Sequence, residues 1–168
     1  RIGNGLADLD AAVNAMVVPS AEMDLWLDKS INAYRQAQRR LARTDPSWEN
    51  GLLHKHIAAV LSVKAERAAD PTPLLEESIK EWRAAVECLP RALMPQEWAS
   101  AQVRLGVALY RLDLKTGQTE LLRESVQALQ ATLQVYSRTE TPQRWAEVMH
   151  NIAQVLEVYG DQLKNTEV

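Results

Sequence analysis

Arg104-Leu105-Gly106-Val107-Ala108-Leu109 has two counterparts in this chain. His56-Ile57-Ala58-Ala59-Val60-Leu61 stands 48 residues before it and Asn151-Ile152-Ala153-Gln154-Val155-Leu156 stands 47 after it. Each copy runs polar, large aliphatic, small, variable, small or β-branched, large aliphatic. Self-similarity at a fixed period of this length points to a stacked array of helical units. A second set of residues keeps the same step. Ser30-Ile31 with Tyr34 and Ala37, Ser78-Ile79 with Trp82 and Ala85, and Ser125-Val126 with Leu129 and Thr132 align at offsets of 48 and 47. One spacing therefore governs both helices of a repeating pair. Pro46-Ser47-Trp48, Pro95-Gln96-Glu97-Trp98 and Pro142-Gln143-Arg144-Trp145 each set a Trp in a helix's first turn. Trp48 is two residues out of step, so the first of these junctions is expected to differ locally.

Working outward, the breakers divide the chain into about seven helices. Leu6, Leu9, Val13, Met16 and Val17 are spaced for a helix over 4–18, which Pro19-Ser20 ends, with Ser20 a cap for the next. That helix runs to about 43, with Leu25, Trp26, Leu27, Ile31, Tyr34, Ala37 and Leu41 on a broad apolar stripe. Asp45-Pro46 opens a third helix, reaching about Ala69. Asp70-Pro71-Thr72-Pro73 breaks it, and Thr72 is placed to cap a helix over 73–89. Pro90 and Pro95 bracket the next connection, a helix follows over 96–115, and Gly117 stops it. The last two are expected over 119–137 and from Thr141-Pro142 to Gly160 or a turn beyond. The units are thus about 4–43, 46–90 and 95–137, followed by a terminal helix over 141–163, in a single domain over 1–168.

The totals agree with an all-α chain. Ala, Leu, Gln, Glu and Arg are good helix formers, and the chain has only six Gly and seven Pro in 168 residues. A hydrophobic share of 46% is enough for a core at this length. Phe is absent, so the large core positions fall to Trp, Tyr and Leu. The net charge of −3 argues against a general pull toward nucleic acid or anionic lipid. No apolar run approaches the roughly 20 residues of a membrane span. Cys88 is the sole cysteine, so no internal disulfide can form, which suits a reducing, cytoplasmic compartment. A start at Arg1 rather than Met is expected of a piece of a longer chain.

These residues resemble the tetratricopeptide repeat family, in an expanded bacterial form. That pattern asks for a large aliphatic, a small residue, and another large residue one turn on. Ile57-Ala58 with Leu61, Leu105-Gly106 with Leu109, and Ile152-Ala153 with Leu156 supply it. On the second helix it asks for small, aromatic, small; Ser30/Tyr34/Ala37 and Ser78/Trp82/Ala85 match well, Ser125/Leu129/Thr132 less well. Pro90 falls where the repeat-ending proline belongs. The departure is length, because the family repeat is about 34 residues. The extra step between the two motifs, about seven residues or two turns, adds one turn to each arm and keeps the same face inward. The resemblance, over about 6–160, implies a right-handed α-solenoid of antiparallel helix pairs.

It also implies a concave groove lined by the first helix of each pair. Carried over by position, that groove takes Lys55, Ala59 and Ser62, then Val103, Val107, Tyr110 and Arg111, then His150, Gln154 and Glu157. Its apolar middle and polar flanks suit an extended peptide or a partner helix. Family members that bind chaperone tails clamp a terminal carboxylate with Lys, Arg and Asn; Ala59, Val107 and Gln154 hold the matching positions, so no such clamp is expected. Val103 and Val107 would equally serve to finish packing between helices.

Other features read as structural. His54 and His56 lie two apart on a helix and point in different directions, which makes a poor metal pair. Cys88 lacks the neighbours of a nucleophile and reads as a small hydrophobe. Arg35, Arg39 and Arg43, with Arg40, could meet phosphate, though a basic last turn complements the helix dipole by itself. Glu76-Glu77 suits a helix start in the same way. Gly3-Asn4-Gly5 lacks the context of a phosphate loop. With no catalytic constellation, cofactor motif or metal cluster, a non-catalytic protein-interaction scaffold is expected, with no nucleic-acid or membrane partner. Self-assembly is the alternative: the final helix has no repeat partner within the chain, so its far face is expected to seek another copy.

Overall fold

The breaks marked by proline and glycine become helix ends. The computed structural model describes residues 20–41 and 47–166, and these form six helices with no strand among the described residues. They are α1 (Ser20–Leu41), α2 (Trp48–Arg67), α3 (Thr72–Cys88), α4 (Pro95–Thr116), α5 (Thr119–Thr132) and α6 (Pro142–Thr166). The helix expected over 4–18, and the Asp45-Pro46 start, lie outside the described residues.

Local chemistry accounts for the ends. Glu22, Glu49, Glu97 and Glu120 sit in first turns, and Arg39, Arg40, Lys64, Arg67 and Lys115 in last turns, as the helix dipole favours. Asp70, rather than Thr72, steadies the start of α3: its Oδ1 accepts the Thr72 N–H at 3.1 Å, which holds the carboxyl below its usual range. Gly117 takes the left-handed conformation (φ 64°) that ends α4, and its N–H donates to the Asp113 carbonyl at 2.7 Å. Helix α5 stops at Thr132, five residues short of the expected end. There the Thr132 carbonyl accepts from both Val135 and Tyr136 in a turn, and Tyr136 is buried rather than continuing the helix. Helix α6 runs on through Gly160 to Thr166.

Packing follows the repeat. Each helix packs on the next in sequence, and α2/α3 and α4/α5 form the closest pairs. Contacts at Gly51 with Leu89 and at Ala58 with Ser78 make the α2/α3 pair antiparallel. One cluster joins Ala58, Ala65, Leu75, Ile79, Trp82, Leu89, Leu105 and Leu109 across α2, α3 and α4. A second joins Ala99, Val103, Leu122, Leu129, Tyr136, Val148, Ile152 and Val155 across α4, α5 and α6. Helix α4 thus contributes side chains to both cores.

The small positions explain the close approach. A Cβ on Gly106 would sit 2.8 Å from Leu129 Cγ. Because α5 comes that near, Ser125 Oγ can donate to the Gly106 carbonyl at 2.6 Å. Ser78 Oγ does the same to the Ala58 carbonyl at 3.1 Å, one repeat earlier. Gly51 is a further close contact, its absent Cβ 3.0 Å from Cys88 Cβ. Ala153 breaks the series, being exposed. The repeat pattern sets Ala153 beside Ala58 and Gly106 as a close-approach position, and that expectation is not met: among the described residues no helix packs over it.

Candidate interaction surface

Ion pairs between like helices define two rows. Arg35 reaches Glu77 at 2.5 Å, and Arg83 reaches Glu124 at 2.7 Å, linking α1 to α3 and α3 to α5. In the other row Lys55 pairs with Glu97, and Arg111 with Glu66 at 3.0 Å, linking α2 to α4. On α2 the residues of these last two pairs are three turns apart, about 16 Å along the axis. Between them lies a strip with Ala59 and Val63 exposed on α2 and Val107 half-buried on α4. Exposed pairs of this kind contribute little stability, roughly 0–1 kcal/mol each, so here they mainly set the flanking charge.

The residues expected to line a groove divide between strip and packing. Ala59 is open, and Lys55 and Arg111 stand at the ends in their ion pairs. Ser62 turns inward: its hydroxyl meets the Ala58 carbonyl at 2.9 Å and Ser78 Oγ at 2.8 Å. Val103 is buried in the second core, with Val107 and Tyr110 packed against it, because α6 covers that side of α4. His150, Gln154 and Glu157 are exposed on α6. Lys55 and Arg111 thus link α2 to α4 through their ion pairs, Ala59 stays open, and Ser62, Val103, Val107 and Tyr110 take part in packing.

Two features escaped the sequence. The first is a buried polar network where α1, α2 and α3 meet. Glu81, 6% exposed, has His54 Nδ1 at 2.6 Å from Oε2 and Arg35 at 3.4 Å from Oε1. Burial pushes the Glu81 carboxyl up, but the His54 and Arg35 contacts outweigh it and hold the group below its usual range. Its partners are separated from it by 27 and 46 positions, so no local spacing announces them.

The second is a cleft of about 710 Å³ between α1 and α2, walled by Tyr34, Ala37, Leu41, Leu52 and Leu53, with His56. The Tyr34 and His56 rings stack at 5.2 Å. Cys88 is half-buried with its thiol pushed up by burial, so it is a poor nucleophile. Among the described residues no group of three or more His, Cys, Asp or Glu could hold a metal, and no helix is long and apolar enough to cross a membrane. No family model, curated protein or solved structure matches the chain.

Proposed function

We propose that this chain is a non-catalytic protein-interaction module of the tetratricopeptide kind, a right-handed stack of antiparallel helix pairs working in the cytoplasm. Its inner row, α2 and α4, takes a short amphipathic helix or extended peptide. The observation that carries this reading is the strip between the Lys55–Glu97 and Arg111–Glu66 pairs, small and apolar at its centre and charged at both ends. Apolar side chains of a ligand would lie over Ala59, Val63 and Val107, with its polar groups facing the flanking charges. Helices held by two cores are already rigid, which limits the ordering cost of binding.

The test uses a random twelve-residue peptide library selected on the wild-type protein. Selected peptides should share an apolar centre with flanking charge and should bind Ala59→Glu at least tenfold more weakly. Ala59 is exposed, so this substitution leaves the fold intact, and Val107→Glu should act in the same direction. Failure to enrich any consensus, or binding indifferent to Ala59→Glu, overturns the reading.

A further inference from the structure

A small polar cavity lies where α4, the α5–α6 connection and the first turns of α6 meet. It encloses about 70 Å³ and is walled by Ser100, Val103 and Arg104 of α4, Tyr136 of the connection, and Arg144 and Glu147 of α6. Most of its polar groups are donors left without an acceptor. The side chains of Ser100, Arg104 and Tyr136 have no hydrogen-bond or ion-pair partner among the described residues. Tyr136 is 3% exposed, so its hydroxyl has little bulk water to turn to. A buried tyrosine hydroxyl ordinarily finds a partner. Burial pushes this one up, Arg144 draws it down, and Glu147 and Glu97 add to the rise. The hydroxyl therefore faces the charged groups of the wall and keeps its proton for donation.

The repeat shows that packing alone does not demand this set. One unit earlier, Leu89 holds the place of Tyr136, 47 positions before it, and is buried to the same degree. Leu52 holds the place of Ser100, and His56, stacked on Tyr34, that of Arg104, each 48 positions before. Glu97 holds the place of Arg144 and pairs with Lys55. Two leucines and an ion pair serve at the earlier junction. At the later one the same positions supply two guanidinium groups and two hydroxyls.

We propose that this cavity is a phosphate site. Four donor side chains reach it from three separate segments, which suits an anion with acceptor oxygens on every side. Arg104 and Arg144 are positive and Glu147 is negative, so the wall favours an anion. Glu97, which also faces the Tyr136 hydroxyl, is held by Lys55. Glu147 meets Arg144 at 3.2 Å, but the pair lies on one helix with both side chains exposed and contributes little. A phosphate between the guanidinium groups takes over Arg144 and adds charge-assisted hydrogen bonds from Arg104, Ser100 and Tyr136. Free phosphate and a phosphorylated side chain of a partner present the same oxygens here. The strip over Ala59, Val63 and Val107 shares no residue with the cavity, so either reading can fail alone.

The test is a titration of the whole chain with inorganic phosphate at constant ionic strength, followed by amide NMR shifts. The shifts should saturate and centre on Ser100, Arg104 and Arg144. Arg104→Ala, at an exposed side chain, should weaken binding at least about tenfold. Tyr136→Phe keeps the ring, removes only the hydroxyl, and should weaken it about threefold or more. Glu147→Gln should tighten binding, whereas Glu140→Gln, at an exposed glutamate outside the cavity, should leave it unchanged. N-acetylphosphoserine amide, titrated in parallel, distinguishes the sources: tighter binding than inorganic phosphate supports the site as the seat of a phosphorylated side chain, and weaker binding supports it as a site for the free anion. Shifts that sodium chloride reproduces, acetate binding as tightly as phosphate, or binding indifferent to Arg104→Ala and Tyr136→Phe overturns the proposal.

Discussion

Helices α4 and α6 carry the same six-residue pattern and meet different fates. Leu109 is fully buried, whereas Leu156, its counterpart 47 positions on, is 48% exposed. Gly106 is pressed against Leu129, whereas Ala153 is exposed. The difference comes from the neighbour, since α4 has α5 beside it and α6 has no described helix in that place. A pattern of large and small residues specifies what a contact needs; whether the contact is filled depends on what stands opposite.

The comparison predicts effects that divide between closed pairs and open faces. The largest belongs to Trp82, 2% exposed in the first core and donating toward Ser62 Oγ at 3.4 Å. Trp82→Ala should cost about 3–5 kcal/mol in chemical denaturation, as expected for a buried tryptophan. Trp26→Ala, at a ring 56% exposed with Lys29 over it at 4.6 Å, should cost under about 1 kcal/mol. Equal losses would mean that the two tryptophans do not differ in burial as described.

Next comes the matched pair Gly106→Leu and Ala153→Leu. The first drives a side chain into Leu129 and the Ser125 backbone, and should cost about 1–3 kcal/mol or more. The second, measured where the chain is monomeric, should fall within about 0.5 kcal/mol of wild type. A large loss at Ala153 would show that an intramolecular helix covers it.

Smaller still is the hydroxyl pair. Ser125→Ala removes a buried donor from the Gly106 carbonyl and should cost about 1–2 kcal/mol. Ser30, at the same register, donates to the Trp26 carbonyl of its own helix, so Ser30→Ala should be nearly silent by the same measurement.

Much of this architecture was legible because it is local or periodic. Helix starts at Pro95 and Pro142, the stop at Gly117 and the burial of Ala58 and Gly106 each depend on spacing along the chain or on the repeat. What remained hidden depends on three-dimensional neighbours. Ser62 reads as a groove residue, and Val103 as groove or packing, because a helix face leaves open which of two flanking helices will cover it. Gly51 differs from Ala99 and Ala146 at the same register, so its tight contact with Cys88 had no repeated signature. The His54–Glu81–Arg35 network joins side chains from three helices whose order along the chain says nothing of their meeting. Of the candidate strip, Lys55, Ala59, Val107 and Arg111 are read by position in the repeat, while the partners Glu66 and Glu97 emerged only from the fold.

The finest distinction between the closed pair and the end helix lies in two buried carboxyls with opposite responses to pH. Glu81, held below its usual range, is more acidic folded than unfolded. Its stabilising effect is present above the unfolded value and is lost as pH falls through the folded one. Asp113, where α4 meets Gln162 of α6, is raised by burial, which the Gln162 hydrogen bond at 2.8 Å offsets only in part. Its Oδ1 has no hydrogen-bond partner among the described residues. A carboxyl of this kind weakens the fold above its folded value, and that penalty is relieved as pH falls through it. Glu81→Gln should therefore lower the melting temperature at pH 7, with the deficit shrinking toward acid. Asp113→Asn should raise the melting temperature at pH 7, with the gain shrinking in the same direction. Parallel pH profiles for both variants and wild type would mean that neither carboxyl is held as described, and that the end helix meets α4 through apolar packing alone.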